Sequence, residues 1–278
     1  MPLGTASPAP GRRRNGFALI IVLWSLVLIA FIVAHLTAAG RTETRIAGNL
    51  VANAVAQAAA DGAVFTALFN LSNAQPEQRW AVDGSVRELV VGGSRVNLRV
   101  EDEAWWINPN TASAELVEAL LRSIGGQPES ARRLAAVIGE WVGTAPAPRP
   151  PNVVLADYRA AGLDYGPPGA PLESLDELGR VLGMTPAILT AIRPHLTLFG
   201  PPQPSAATPD PVVAAALAEA SHAATASLAN QPPPDVLTAR ITATAFGANN
   251  AHATRSAIVR LGAALPLGYE ILAWRDGL

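Results

Sequence analysis

One apolar run dominates the pattern of hydrophobic and polar positions. Phe17-Ala-Leu-Ile-Ile-Val-Leu-Trp-Ser-Leu-Val-Leu-Ile-Ala-Phe-Ile-Val-Ala34 is uninterrupted, and between Arg14 and Arg41 the only ionisable side chain is His35. About 20 apolar residues rising 1.5 Å each cross a hydrocarbon layer of about 30 Å. Lipid offers the backbone no partner, so the run must be a helix. A cleaved secretory signal has an apolar core of only about 7–15 residues before a small-x-small site. This run is too long for that, and a spanning helix over 17–40 is predicted. Past it the pattern changes without breaking. No proline occurs from Arg41 to Leu71, and Ile46, Leu50, Ala54, Ala58, Phe65, Leu68 and Phe69 recur at spacings that mostly fit one helical face. Gly48 and Gly62 weaken the helix by about 1 kcal/mol each relative to alanine. The expectation is one helix from 17 to about 70, about 80 Å long. Its first half sits in lipid and its second half turns that stripe to a globular core. Asn70 to Pro76 ends it.

Strand-like alternation follows. Ser85 to Val91 and Arg95 to Glu101 flank Gly92-Gly93-Ser94, with Val96, Leu98 and Val100 on one face, and this predicts a β-hairpin. The glycines make a turn rather than a phosphate loop, because no Lys-Ser/Thr follows and no helix opens there. Residues 104–200 switch to helical spacing. Thr111 or Ser113 caps a helix through Leu121, and Gly125-Gly126 ends it. Glu129 to Trp141 forms another, with Leu134, Val137, Ile138 and Trp141 inward. After a Pro-rich loop, Ser174–Leu182 and Pro186–Ile192 make a second helix pair joined at Gly183, so the block reads as a loose repeat of helix, glycine turn, helix. A fainter third copy starts near Ala207. Beyond a linker at 200–211, an Ala-rich helix is expected over Val212–Leu228. Three alternating runs then follow, at 236–246, 253–261 and 269–274. With the hairpin they are expected to form one antiparallel sheet on the helix at 41–70, the helical block being inserted between the second and third strands.

The flanks orient the membrane run. Arg12, Arg13 and Arg14 precede it without an acid, whereas Glu43 partly offsets Arg41 and Arg45. The positive-inside bias keeps residues 1–16 in the cytoplasm and sends the remainder across. With 278 residues the chain is long enough for more than one domain. Its net charge is −2, and losing the three leader arginines would make it −5. There is no lysine and no cysteine, which excludes disulfides, thiolate metal sites and thiol nucleophiles.

Chemical motifs are missing. None of His35, His195, His222 and His252 is followed by a second histidine or a carboxylate three or four residues on, and neither Gly-x-Ser-x-Gly nor Gly-x-Gly-x-x-Gly occurs. No catalytic, cofactor-binding or metal residue is expected, and the chain is read as a non-enzyme. The helix–glycine turn–helix pairs resemble helix-hairpin-helix DNA modules. Residues 104–200, however, hold seven Arg against nine Asp and Glu, the wrong balance for phosphate.

Basic residues, Gly16, Phe17 and a retained membrane helix are laid out as in a type IV prepilin leader. Phe17-Ala-Leu-Ile-Ile-Val-Leu-Trp24, Arg41-Thr-Glu-Thr-Arg-Ile46 and Asn49 resemble the start of the minor pseudopilin K family of type II secretion systems. Asn108 to Ser113, Asp157 to Gly162, Tyr165-Gly-Pro, Leu175 to Leu178 and Leu182 to Thr185 resemble that family's helical insertion. The resemblance implies cleavage after Gly16 by prepilin peptidase and methylation of Phe17. It implies an α+β fold, with a pilin-like long N-terminal helix on an antiparallel sheet and a large all-α, helix-hairpin-helix or SAM-like insertion. It also implies a place in the inner membrane with a periplasmic C-terminal domain. The implied partners are I- and J-type minor pseudopilins in a tip complex, the peptidase and the inner-membrane assembly platform, with no nucleic acid.

Most pilins carry Glu at the fifth mature position, where this chain has Ile21. A bilayer carboxylate must be paired, so a subunit without one suits the tip of a filament. Family members also bind calcium through acids around an Asp-Trp-Ile-Asp-like motif. Here that stretch is Glu140-Trp-Val-Gly143, with no further carboxylate before Asp157. Calcium takes six to eight oxygens, so no tight site is expected. The expected division is leader 1–16, membrane helix 17–40, helix and hairpin 41–103, helical insertion 104–200, and linker, helix and remaining strands 201–278. The functional expectation is a pseudopilus tip cap supporting export of folded proteins. The alternative is a membrane-anchored, competence-type DNA-binding protein, which a salt-dependent gel shift separates from the first.

Overall fold

The computed structural model describes residues 15–73, 75–223 and 236–277. It opens with α1, Asn15–Leu71, a single helix of 57 residues and so about 85 Å long. Five strands form one sheet in the order β1 (Val86–Val91), β2 (Ser94–Asp102), β3 (Leu237–Phe246), β4 (His252–Leu261) and β5 (Tyr269–Asp276), every pair antiparallel. The β1–β2 connection is a two-residue turn in which Val91 faces Ser94. Gly92 and Gly93 both have positive φ there (57° and 82°), as the right-handed twist of a tight hairpin requires.

The helix meets the sheet through small side chains. Ala56, Ala59, Ala60, Ala63, Val64, Ala67 and Leu68 are buried against Val96, Leu98 and Val100 of β2, Ile241 and Ala243 of β3, and Ala257 and Val259 of β4. The stripe expected to face this core lies elsewhere. Ile46, Leu50, Ala54, Ala58, Phe65 and Phe69 are exposed, and of the expected set only Leu68 is buried. Bulk misled the reading, since alanine contributes little hydrophobicity but lets the helix axis come close to a flat sheet.

The direction of the sheet relative to α1 follows from its turns. Gly247, after β3, lies where a Cβ would come 3.2 Å from the carbonyl oxygen of Ala52, and the Asn249 amide lies against Gly48. The β3–β4 turn is therefore at the end nearest the apolar run. Asp102 of β2 pairs with Ala239 of β3 at the other end. There the chain leaves the sheet for the helical domain, and there it returns.

That domain contains α2 (Ala114–Ser123), α3 (Pro128–Val142), α4 (Pro151–Ala160), α5 (Pro186–Ile192) and α6 (Pro211–Ala223), with its own core of Leu116, Leu120, Leu134, Ile138, Trp141, Tyr158, Leu178 and Ile192. Ser113 is the cap of α2, its hydroxyl accepting from the Leu116 N–H. Three details depart from expectation. The segment expected as a helix at 174–182 is a 3-10 turn, Leu175–Arg180, closed by a Ser174–Glu177 capping box. The proline cluster read as a loop instead starts α4, because Pro151 at the first helical position gives up an N–H that has no partner there. The helix assigned to the sheet unit, α6, buries Val213, Ala216 and Leu217 in the helical core and pairs Glu219 with Arg122 of α2. It belongs with the insertion. Residues 224–228 of its expected extent lie outside the described residues.

Candidate assembly surfaces

The expected processing point, Gly16–Phe17, falls in the first turn of α1, while residues 1–14 lie outside the described residues. From Phe17 to Leu36 the helix has a mean hydropathy of 3.1 and is bare of any protein contact that would bury it. Phe17 is 69% exposed and Ile21 50% exposed. The Ile21 carbonyl accepts from the Ser25 hydroxyl at 2.8 Å, so that hydroxyl turns back on its own backbone.

Beyond the apolar run, α1 is greasy on two sides. One side holds the sheet. The other carries Val51, Ala54, Val55, Ala58, Phe65 and Phe69, all exposed and spaced three, four or seven apart. At 100° per residue these positions cluster on the side of the helix opposite Ala56, Ala60 and Ala63. Phe65 is steadied by the Trp274 ring at 5.6 Å. A large exposed apolar stripe of this kind marks a contact surface.

The helical domain is latched to the sheet where the chain crosses between them. Glu103 is fully buried. Its carboxylate accepts from Arg240 Nε of β3 at 2.8 Å and from the Thr197 hydroxyl. Arg240 in turn stacks on the Trp106 ring, 4.3 Å from its centroid. The Asn108 amide donates to the carbonyls of Leu198 and Gly200, and Ile107 N–H donates to the His195 carbonyl at 3.0 Å. Gly200 is close enough that a Cβ would meet the Glu103 carbonyl oxygen at 2.7 Å. His195 also reaches Asp210 at 2.6 Å, and Asp210 caps α6 by accepting from Val212 and Val213. Sequence spacing missed both pairings, because the partners stand 94 and 15 residues apart.

In the helix–glycine turn–helix block four of the seven arginines are neutralised. Arg122, Arg132, Arg149 and Arg193 are each engaged by a carboxylate. The stretch matching the family's calcium motif has the same feature. Both oxygens of Glu140 accept from Arg149, at 2.6 and 2.9 Å, and Asp157 accepts from the same guanidinium at 2.7 Å. Among the described residues no three His, Asp or Glu side chains come together. Two carboxylates already shared with one cation do not fit an ion that wants six to eight oxygens.

A helix long enough to cross lipid, continuing as the spine of an antiparallel sheet and keeping a second apolar stripe bare, defines a pilin-type subunit. Residues 67–202 match the family model described as Type II secretion system (T2SS), protein K. Through these residues, just under half of the chain, it is similar to that family, and the match supports a component of the pseudopilus. Among solved structures it is similar to a chain of the GspK-GspI-GspJ complex from the enterotoxigenic Escherichia coli Type 2 Secretion System, with a TM-score of 0.54 and 17% identity. That match covers 86% of this chain and 99% of the other, and at such identity the likeness is one of fold. No curated protein matches the chain by sequence.

Proposed function

We propose that this chain is the minor pseudopilin that caps the tip of a periplasmic pseudopilus and supports export of folded proteins across the outer membrane. The observation that carries the reading is the pairing of a bare apolar stripe on α1 with a helical domain mounted at the far end of the sheet. The stripe allows α1 to pack beside other α1-type helices. The domain, issuing from the end remote from the membrane run, leaves no room for a further subunit above. Ile21 fits that place, because a top subunit has no neighbour whose terminal amine would need a carboxylate.

In this reading prepilin peptidase cuts between Gly16 and Phe17, the new terminus is methylated, and the assembly platform of the inner membrane extracts the subunit. The partners are I- and J-type minor pseudopilins, since the relative of similar fold is held in a complex with GspI and GspJ. Two measurements test it. Mass spectrometry of the membrane form shows whether residues 1–16 are removed when the peptidase is present; a chain that still begins at Met1 overturns the reading. Co-isolation of the full chain with its two neighbouring minor pseudopilins is expected, and its absence counts equally against it.

A further inference from the structure

The loop between α3 and α4 is closed by one arginine. Glu140 lies in the last turn of α3, Asp157 lies in the second turn of α4, and the Arg149 guanidinium sits between them with three donors committed. Glu140 is largely buried, its side chain 10% exposed, so its charge requires a cation close by. The C-terminus of α3 adds to that requirement, because its free carbonyls present a partial negative charge. Pro146, Pro148 and Pro150 stiffen the loop, which narrows the positions open to Arg149. Trp141, Tyr158 and Tyr165 pack together beside the same loop, with ring centroids 5.9–6.3 Å apart.

We propose that the notch between α3 and α4 is a cation seat filled from within the chain, in which Arg149 holds Glu140 and Asp157 as a divalent metal would and thereby excludes one. The helical domain is then stable without calcium, and its closure does not respond to the metal content of the surrounding medium. With the guanidinium removed, the two carboxylates supply at most about four oxygens, enough for a weak site completed by water and not for a tight one. Both arms of the seat come from helices that end or begin at the loop, so filling it fixes the α3–α4 angle.

The test uses the full chain in detergent and Tb³⁺ as the probe, excited through Trp141 and its tyrosine neighbours. Wild type is expected to give no sensitised emission above that of Glu140→Gln. Arg149→Gln is expected to give emission several-fold above wild type, which is lost again in Arg149→Gln/Glu140→Gln. In melting experiments wild type keeps its Tm on adding Ca²⁺ or a chelator. Arg149→Gln melts about 3–6 °C lower, the loss of charge-assisted hydrogen bonds to a nearly buried carboxylate, and Ca²⁺ restores part of the difference. Arg149→Lys keeps a charge without the fork and falls between the two in Tm, still without emission. Emission from wild type that Glu140→Gln removes, or a Ca²⁺-induced rise in wild-type Tm, overturns the proposal even where Arg149→Gln fails to fold. So does an Arg149→Gln protein that folds and either melts as wild type or shows no emission.

Discussion

The latch at Glu103 offers the sharpest test of how the two halves are joined. Replacing Glu103 by Ala removes an acceptor that serves two partners at once, Arg240 Nε at 2.8 Å and the Thr197 hydroxyl. Thr197 is only 2% exposed, so its hydroxyl loses its acceptor inside the protein. Arg240 is better placed, with its side chain 30% exposed and its plane still on Trp106. Breaking a buried ion pair costs about 3–5 kcal/mol, and partial access of water to Arg240 sets the expectation near 3 kcal/mol. For a unit of this size that lowers Tm by about 6–12 °C. Glu103→Gln keeps hydrogen-bonding groups for both partners but loses the carboxylate charge, and is expected to lose only about 1–2 kcal/mol. Thermal melts of the full chain in detergent, followed by near-ultraviolet circular dichroism of Trp105 and Trp106, read the effect where it occurs. A double-mutant cycle with Arg240→Ala should show a coupling of about 1 kcal/mol or more. Glu103→Ala melting within 2 °C of wild type, or strict additivity in the cycle, refutes the latch.

Other expectations follow from single positions. Ala58→Glu places a carboxylate on the bare stripe of α1, and is expected to abolish co-isolation with neighbouring minor pseudopilins while changing stability by about 0.5 kcal/mol or less. Gly143→Ala meets two obstacles, a φ of 77° and a Gly169 carbonyl oxygen 2.6 Å from the new Cβ. A loss of about 2 kcal/mol or more is expected in urea unfolding. Burial raises the pKa of Asp102, against the opposing hydrogen bond from Ala104 N–H. The folded state therefore holds this proton more tightly than the unfolded one, and stability falls as pH rises from the ordinary carboxylate range through the folded pKa. Asp102→Asn keeps an acceptor for Ala104 and is expected to melt above wild type at neutral pH, the difference closing below about pH 4.

Local signals made much of the architecture legible. Alternation in residues 95–101 and 237–246 gave the strands, and the paired glycines at 92–93 gave the turn, because each depends on neighbours in sequence. The apolar run was equally plain. What failed was the choice of face on α1. Hydrophobicity ranks Phe65 and Phe69 above Ala56 and Ala63, whereas contact with a sheet rewards small size. The start of α4 failed for a related reason, since proline is read as a breaker and yet suits the first turn of a helix. Glu103 with Thr197 and Arg240, and Arg149 with Glu140 and Asp157, depend on chain segments brought together only by folding. No periodicity announces them.

The excursion from β2 to β3 begins and ends at adjacent positions, Asp102 facing Ala239. Topologically the whole helical domain is an overgrown hairpin loop. Replacing residues 103–236 by a tight turn would leave an unbroken five-stranded meander on the same spine, a subunit with its roof removed. Elaborating or shedding that roof alters neither the strand order nor the stripe that α1 leaves bare, so the helical domain can change without disturbing the unit that carries it.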